Sequence, residues 1–156
     1  MPRVSDLPAE LADLHPDPHT EPFWEAAREH RLVAQRCGKC ATFRLPPGPF
    51  CHVCRSQDAE WIELPGTGTV FTYTVTRHAL IPAMRDAVPY AVVVVDLDGA
   101  PGTRLVGTFA GGDPDTVTIG TRVAVAWDDL DEYTTVPRFR ELGDMTNRDT
   151  TNRDTT

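Results

Sequence analysis

Lysine is almost absent from this chain of 156 residues, and its basic side chains are too few and too scattered to hold a polyanion. Lys39 is the only lysine, the formal net charge is −8, and residues 65–139 carry five basic side chains against nine acidic ones. Affinity for nucleic acid depends largely on Lys and Arg side chains that neutralise phosphates. The composition therefore argues against a sequence-independent nucleic-acid binder.

Long apolar runs are missing as well. The longest, from Tyr90 to Val95, has the length of a strand and is far shorter than the roughly 18 residues that a membrane helix requires. Residues 1–20 hold no apolar stretch that could serve as an export signal. We therefore expect a cytoplasmic protein without a membrane segment, in a compartment where cysteines stay reduced.

Catalytic motifs are also lacking. The sequence has no GxSxG, no phosphate-cradling glycine loop and no carboxylate pair with an evident acid–base role. The acidic run from Asp128 to Glu132 predicts a solvated loop. His78 is a candidate general base, but no residue near it in the sequence orients the ring. We predict that the chain has no enzymatic activity by itself.

The cysteines form the strongest motif that is present. All four lie in two CxxC pairs separated by ten residues, and none is left over. Each CxxC turn can place two thiolates on one side of a tight knuckle, and two knuckles provide the four-sulfur shell that structural Zn²⁺ prefers. A rubredoxin-type iron site uses the same ligands and stays open, whereas disulfides are disfavoured by the reducing compartment. The predicted ligands are Cys37, Cys40, Cys51 and Cys54.

Composition and turn signals divide the chain into five parts. Residues 1–20 are rich in Pro, Asp and His and predict an N-terminal arm. The second part, residues 21–34, is predicted to be a helix that starts after Thr20 and runs to about Leu32. The cysteine-rich part has poor periodicity and predicts a zinc ribbon. The tail contains two copies of TNRDT and predicts disorder because its last eleven residues hold nothing apolar. The remaining parts are the ribbon at 35–64, a β region at 65–141 and the tail at 142–156.

The β region contains five segments with strand patterns. In the first, TVFTYTVT, alternation places Val70 and Thr72 on one face and Phe71 and Tyr73 on the other. The second, YAVVVVDL, is a β-branched run typical of a strand buried on both sides. TRLVGTF, RVAVAW and YTTVPRF follow, separated by turns. Five strands with short connections predict a mainly β fold with an OB-type barrel, although a sandwich fragment would have the same strand count.

One connection is unusually apolar. Residues 77–89 link the first two strand segments and hold four large apolar side chains, although loops normally run over the surface. A short helix that caps the barrel is one explanation. An apolar patch presented to a partner or an acyl chain is the other. The side chains are those of Leu80, Ile81, Met84 and Val88.

Several segments taken together resemble a known family. They are PFWEAAREHRLVAQRCGKCATFRLPPGPFCHVC, WIELPGTGTVFTYTV, VPYAVVVVDLD and VPRFRE. As a set they are similar to the acyl-CoA-associated OB-fold family with a rubredoxin-like zinc ribbon, the domain of unknown function 35 family, over residues 22–141. The resemblance implies an N-terminal helix, the ribbon and then a five-stranded OB-fold barrel. It also implies that the four cysteines are zinc ligands and that no catalytic residue carries over.

The same resemblance implies a function. Family members usually occur beside thiolase-superfamily enzymes, MaoC-like hydratases or acyl-CoA dehydrogenases. Some are subunits required by a thiolase-like aldolase that cleaves steroid side-chain CoA thioesters. The chain is therefore expected to be a non-catalytic accessory subunit with a thiolase-superfamily partner and, as a second candidate, a MaoC-like hydratase. The apolar connection would contact the partner or an acyl chain, and Arg28, Arg31 and Arg36 would contact CoA phosphates in a shared site.

Two other functions stay open. Zinc ribbons and OB barrels both occur in proteins that bind single-stranded nucleic acid, and strand aromatics such as Phe71 and Tyr73 could stack on bases. The acidic barrel argues against this function because it lacks the basic groove that would follow a phosphate backbone. The other function is that of an acyl-CoA carrier acting on its own.

Overall fold

One short helix and two β-sheets make up the fold. The computed structural model describes residues 7–11 and 14–143, and the predicted tail from residue 144 onward lies outside the described residues. Single 3₁₀ turns occur at Ala9–Leu11, Pro82–Met84 and Pro114–Thr116. The main elements are α1 (Glu21–Arg28), β1 (Val33–Cys37), β2 (Phe43–Arg44), β3 (Ala59–Glu63), β4 (Thr67–Thr76), β5 (Tyr90–Leu97), β6 (Arg104–Thr108), β7 (Arg122–Asp129) and β8 (Thr135–Glu141).

Helix α1 is shorter than the sequence predicts. It ends at Arg28 rather than near Leu32 because His30 adopts a left-handed conformation with φ 57°. The His30 N–H donates to the Ala27 carbonyl and the Arg31 N–H donates to the Ala26 carbonyl, both at 2.9 Å. These two bonds form a Schellman motif, which satisfies the last carbonyls of the helix and reverses the chain.

The first sheet forms the ribbon, with strand order β2-β1-β3 and antiparallel pairing throughout. Strand β3 was not predicted; it pairs with β1 over its whole length, from Val33 opposite Glu63 to Cys37 opposite Ala59. Three residues then lead into β4, and they are tied on both sides. The Leu64 N–H donates to the Leu32 carbonyl at 2.8 Å, and the Val125 N–H donates to the Gly66 carbonyl at 2.7 Å.

The second sheet confirms the predicted five-stranded OB-fold barrel. Its strands follow the order β6-β5-β4-β7-β8, and each pair of neighbours is antiparallel. A parallel bridge between Phe109 and Phe139 brings the two ends of the sheet together. The Phe139 side chain has no exposed surface and lies in the core with Val70, Val93, Val95 and Val123. Closure in this order gives the OB topology.

Helix α1 connects the two sheets. It contacts β1 of the ribbon and β8 of the barrel, and it buries Phe23, Ala26 and Ala27 on one side. Phe23 and Trp24 meet edge to face, with ring centroids 5.0 Å apart. The spacing of these residues follows the helical period, so one apolar face rests on the core and the charged face points outward. No described helix is long and apolar enough to cross a membrane.

A bulge changes which side chains of β4 share a face. Val70 pairs with Val95 but Thr72 pairs with Val94, so the register shifts at Phe71. Val95 is buried and Val94 is half-buried, which places Val70 on the inner face and Thr72 on the outer one. The predicted strict alternation across this strand is therefore wrong, because a bulge inserts one extra residue into one strand.

The acidic run from Asp128 to Glu132 is not simply a solvated loop. Asp128 belongs to β7 and is fully buried, and its Oδ2 accepts a hydrogen bond from Arg138 Nε at 3.3 Å. Asp129 closes the same strand, opposite Thr135. A buried carboxylate needs such a partner, since an unpaired charge in the interior is costly. Only the later part of the run, from Asp131, lies on the surface.

Asp98 makes barrel stability depend on pH. It accepts hydrogen bonds from Thr67 Oγ1 at 2.5 Å and from the Arg122 guanidinium at 2.5 and 3.0 Å, so it ties together the ends of β4, β5 and β7. The Arg122 side chain, followed by the Thr67 hydroxyl, lowers the pKa of Asp98 from 3.8 to about 2. Because the folded pKa lies below the unfolded one, the stabilisation is present above about pH 4 and is lost as the pH falls towards 2.

We predict that Asp98→Asn lowers the free energy of unfolding by about 1 kcal/mol at pH 7, a value discounted because both side chains are more than a third exposed. Urea denaturation of both proteins between pH 2 and pH 7 would measure the difference, which should shrink towards zero at the acidic end. Asp96→Asn, which removes an exposed pair with Arg104, is the matched control and should cost less than about 0.5 kcal/mol. An Asp98→Asn effect of equal size at pH 2 and pH 7 would contradict the prediction.

Candidate metal centre

The ribbon brings all four cysteines together. Their sulfur atoms lie within 4.8 Å of one another, with Cys37 and Cys54 3.6 Å apart and Cys40 and Cys51 3.5 Å apart. A tetrahedral shell with metal–sulfur bonds of about 2.3 Å has sulfur–sulfur edges of about 3.8 Å. The four thiols therefore already have the spacing of a single four-sulfur metal shell.

The two CxxC knuckles have the same backbone shape. In each, the residue after the second cysteine is left-handed, Ala41 with φ 60° and Arg55 with φ 59°. The Ala41 N–H donates to the Cys37 carbonyl at 2.9 Å, and the Arg55 N–H donates to the Cys51 carbonyl at 2.8 Å. Neither residue is glycine, so a non-glycine side chain adopts an uncommon conformation at the same place in both turns. Each turn closes so that its two sulfurs face the other pair.

The electrostatics of the four thiols favour a bound cation. The Thr42 side chain and backbone lower the pKa of Cys40 to about 6, and the backbone N–H of Cys54 lowers the pKa of Cys51. For Cys54 the Ser56 backbone N–H lowers the pKa, but burial and the crowded neighbouring thiols together raise it to about 11. The knuckles stabilise the first thiolates, whereas the last thiol resists ionisation among like charges. A divalent metal removes that repulsion.

The donor set defines the role of the metal. Four sulfurs complete a tetrahedral shell and leave no position for water or substrate, so the site is structural rather than catalytic. Cys37 and Cys51 are each 1 % exposed and anchor the shell from the protein side. His52 and Lys39, which lie inside the knuckles, point to the surface. A structural metal at this place fits the residues that surround it.

The predicted partner patch is only partly open. Leu80 is 89 % exposed and Ile81 is 43 % exposed, whereas Met84 and Val88 are half-buried. A single 3₁₀ turn at Pro82–Met84 stands where a capping helix was one of the two explanations. The structure thus leaves two of the four predicted side chains available to another molecule.

The three arginines predicted to contact phosphate already have acidic partners. Each side chain is between 36 % and 43 % exposed, so the pairs are accessible to solvent and weak. All three lie in the N-terminal half of the described chain, on α1, on β1 or on the turn between them. The pairs are Arg28 with Glu21 at 3.5 Å, Arg31 with Glu29 at 2.5 Å and with Glu63 at 3.3 Å, and Arg36 with Glu60 at 2.7 Å.

Sequence reasoning missed two features beside the ribbon. An apolar cavity of about 370 Å³ opens where α1 meets the ribbon loop and the barrel, and its lining includes Phe23, Leu45, Val106 and Pro137. These residues come from four segments that are far apart in the sequence, so no sequence motif predicts the cavity.

The second missed feature is a histidine–aspartate pair at the end of α1. His30 stacks on Trp127, with centroids 5.8 Å apart, and its Nε2 lies 2.9 Å from Asp129 Oδ1. The pair holds the end of the helix against β7. His78, the candidate general base, lies exposed in the apolar connection.

Family models match both parts of the chain. Residues 24–60 match the rubredoxin-like zinc ribbon domain of ChsH2, and residues 61–128 match the C-terminal OB-fold domain of ChsH2. The boundary between the two matches falls in β3. The knuckles and the part of α1 from Trp24 onward thus lie in the first match, and most of the barrel lies in the second.

Curated relatives carry two kinds of name. The chain is 45 % identical to a probable enoyl-CoA hydratase alpha subunit of Thermomonospora curvata, over 76 % of this chain and 36 % of the relative. It is 30 % identical to the 3-oxo-4,17-pregnadiene-20-carboxyl-CoA hydratase alpha subunit of Mycobacterium tuberculosis, over 78 % and 40 %. A DUF35 domain-containing scaffold protein of Methanocaldococcus jannaschii is 31 % identical, over 64 % and 70 %. The chain therefore spans well under half of the two hydratase subunits.

A solved structure agrees with these matches. A chain of the Ltp2-ChsH2(DUF35) aldolase superposes with a TM-score of 0.74 at 41 % identity, and the match covers 82 % of this chain and 98 % of the other. The family models match both domains in the order in which they occur along the chain, and the four clustered cysteines lie within the zinc-ribbon match. The chain belongs to the DUF35 family, in which a ChsH2-type rubredoxin-like zinc ribbon precedes an OB-fold barrel.

Proposed function

We propose that the chain is a non-catalytic accessory subunit of an acyl-CoA-processing complex and that it stabilises a thiolase-superfamily aldolase or thiolase. The observation that carries this proposal is the match, over 98 % of its length, to a chain of the Ltp2-ChsH2(DUF35) aldolase. An archaeal relative is named a scaffold protein, which favours a structural role over a catalytic one. The name of the mycobacterial relative supports a steroid-type CoA thioester as the substrate of the complex, and a MaoC-like hydratase as a second partner.

The metal of the ribbon is proposed to be zinc. Four thiolates at tetrahedral spacing suit Zn²⁺, and the matched domain is described as a zinc ribbon. Iron would bind the same four sulfurs, and its absorption in the visible range distinguishes it from colourless zinc. The role of the ion is to fix the two knuckles and the sheet that they cap.

The exposed part of the apolar connection is proposed to contact the partner or its acyl chain. Leu80 and Ile81 stand out from a surface on which large apolar side chains are normally covered. Met84 and Val88 are half-buried, and Ala87 between them is buried, so this part of the connection rests on the protein. Leu80 is almost fully exposed, and removing its side chain from water at an interface would contribute roughly 1.5–3 kcal/mol.

The arginines are proposed to contact CoA phosphates only in a site shared with the partner. Arg28, Arg31 and Arg36 each face a carboxylate, so the free chain presents no unpaired cation at these positions. The pairs are exposed and therefore contribute little, and a phosphate that carries more charge can displace a carboxylate from them. This arrangement favours the accessory subunit over an independent acyl-CoA carrier.

Co-purification tests the proposed function. The chain and the Ltp2-like thiolase-superfamily enzyme of the same genome, purified separately, are expected to co-elute in size-exclusion chromatography. Leu80→Lys combined with Ile81→Lys is expected to weaken binding at least tenfold by calorimetry, because two charges would have to be desolvated at the interface. Tyr133→Lys, at a position 72 % exposed on the β7–β8 turn, is the matched control and should bind as the unmodified chain does. A mixture that elutes as two separate proteins would contradict the proposal.

A further inference from the structure

Half of strand β4 has a free edge. One side of β4 pairs with β5 along the strand, as far as Thr76 opposite Tyr90. On the other side β7 pairs only with Thr67–Thr69, and the backbone of Val70 bonds to Gly120 and Thr121. From Phe71 to Thr76, no described residue forms a backbone hydrogen bond with this second side. Alternate N–H and C=O groups of an antiparallel strand point to each side, so this edge presents unpaired groups.

The side chains of this stretch are open as well. Phe71, Thr72, Tyr73 and Thr74 are four consecutive exposed residues, and pairing with β5 places Thr72 and Thr74 on the outer face and Tyr73 on the inner one. Phe71 is 44 % and Tyr73 38 % exposed, which is unusual for aromatic residues on a barrel strand. The Arg104 guanidinium lies over the Phe71 ring, 3.4 Å from its centroid, and half-buried Val75 packs against the core. The backbone edge itself has no strand beside it from Phe71 to Thr76 among the described residues.

Most of the usual protection against strand pairing is missing from this edge. Natural edge strands carry Lys, Pro, inward-pointing charges or a bulge within the exposed stretch. Phe71–Thr76 reads FTYTVT, with no charged residue and no proline, and the bulge of β4 lies at its first residue, Phe71, so the five residues from Thr72 to Thr76 are regular. The first charge is Arg77, which pairs with Asp115. Five regular unprotected residues are about the length of an average strand.

We propose that Phe71–Thr76 is a strand-addition site, at which an extended segment of the partner enzyme joins the barrel sheet beside β4. This inference rests on the proposed function and identifies the surface at which the chain would bind its partner enzyme. Backbone hydrogen bonds would supply affinity, and the exposed aromatic side chains would supply specificity by packing against alternate residues of the added strand. Leu80 and Ile81, the exposed apolar side chains proposed to contact the partner, follow Thr76 within five residues of the chain.

Charge identifies the kind of segment that fits. The stretch itself is uncharged, and the Arg104 guanidinium over Phe71 is neutralised by its pair with Asp96 at 2.7 Å, so the added strand is uncharged where it pairs. At its far end Arg77 lies beside Asp115 and near Asp113, which leaves one net negative charge there and favours a basic residue at the matching end of the partner. A second copy of this chain fits less well, because two bodies of formal charge −8 repel each other.

A pair of matched double variants tests the edge. Thr72→Lys with Thr74→Lys places two charges on the exposed stretch and is expected to weaken binding to the Ltp2-like enzyme at least tenfold. Thr72→Val with Thr74→Val keeps the strand uncharged and should bind within about threefold of the unmodified chain. Metal content and melting temperature of both variants should match the unmodified chain, because both side chains replaced are on the surface.

Hydrogen exchange gives the second measurement. Amides within Phe71–Thr76 should exchange at least tenfold more slowly in the complex than in the free chain, because the added strand would pair with them. If the two lysines leave binding unchanged, or if amide exchange does not slow in the complex, the strand-addition site is overturned while the proposed function stands. Absence of binding by the unmodified chain would overturn both. Two other results would also overturn the inference. The free chain could form a dimer that the two lysines dissociate, or it could bind a single-stranded oligonucleotide in a way that the two lysines abolish. In either case the edge would have an occupant other than the partner enzyme.

Discussion

Replacing Cys51 by serine is expected to remove the metal and unfold the ribbon. Cys51 is 1 % exposed and its sulfur lies 3.5 Å from that of Cys40, so the serine hydroxyl would leave a three-sulfur shell with a weak fourth donor. Structural zinc contributes roughly 10–16 kcal/mol in small zinc-dependent modules, which equals or exceeds the whole stability of an ordinary domain. The ribbon has few apolar residues between its knuckles with which to compensate.

Metal analysis by mass spectrometry and thermal denaturation by circular dichroism would measure this effect. The unmodified chain should carry about one equivalent of metal, and Cys51→Ser should carry close to none and melt well below it. His52→Ala is the matched control, because His52 lies in the same knuckle but points to solvent. Full metal content in Cys51→Ser, or a cooperative melt unchanged after chelation, would show that the four sulfurs do not hold a structural ion.

Replacing Phe139 by alanine should destabilise the barrel by about 3–5 kcal/mol, the range for a large aromatic lost from a core. The Phe139 ring has no exposed surface, and its strand position forms the parallel bridge with Phe109 at the seam of the barrel. Gly107 faces the ring so closely that a Cβ there would stand 3.0 Å from two of its atoms. The cavity left by alanine could not be filled by that neighbour, since glycine has no side chain.

Urea denaturation would report the change as a lower midpoint with a similar slope. Phe50→Ala is the control; Phe50 is 57 % exposed in the ribbon, so its loss should cost less than about 1 kcal/mol. Equal effects of the two substitutions would show that the seam contributes nothing beyond ordinary surface packing.

The sequence predicts the metal centre better than it predicts the elements around it. Two CxxC pairs with no cysteine left over point to one four-sulfur shell, because the ligand type and spacing are themselves the chemistry. The barrel strands are nearly as clear, since β-branched runs such as the one from Tyr90 to Leu97 are bounded by turn residues. In both cases the signal is local.

The errors arise where distant residues decide the local structure. The Schellman motif at His30 has no glycine to announce it, and the ring is held there by Trp127 and Asp129 from almost a hundred residues away. Asp128 looks like part of a solvated run until Arg138 is placed beside it. Strand β3 forms only because β1 offers it an edge.

The candidate docking surfaces show the same limit. The exposure of Leu80 and Ile81 could be expected from an apolar connection, but the β3 carboxylates opposite Arg31 and Arg36 are brought there by the fold. The free edge of β4 depends on how far β7 runs alongside it, which no pattern within β4 itself reveals. Pairing length is a property of two strands, and the sequence of one strand predicts it poorly.

The three-residue junction between β3 and β4 has a consequence for assembly. Leu64 and Gly66 are each tied by a backbone hydrogen bond, and α1 bridges the two sheets on the other side. The knuckles therefore have little rotational freedom of their own relative to the barrel. Orientational entropy that a flexible linker would lose on association is already lost when this chain folds, so the subunit meets its enzyme preorganised.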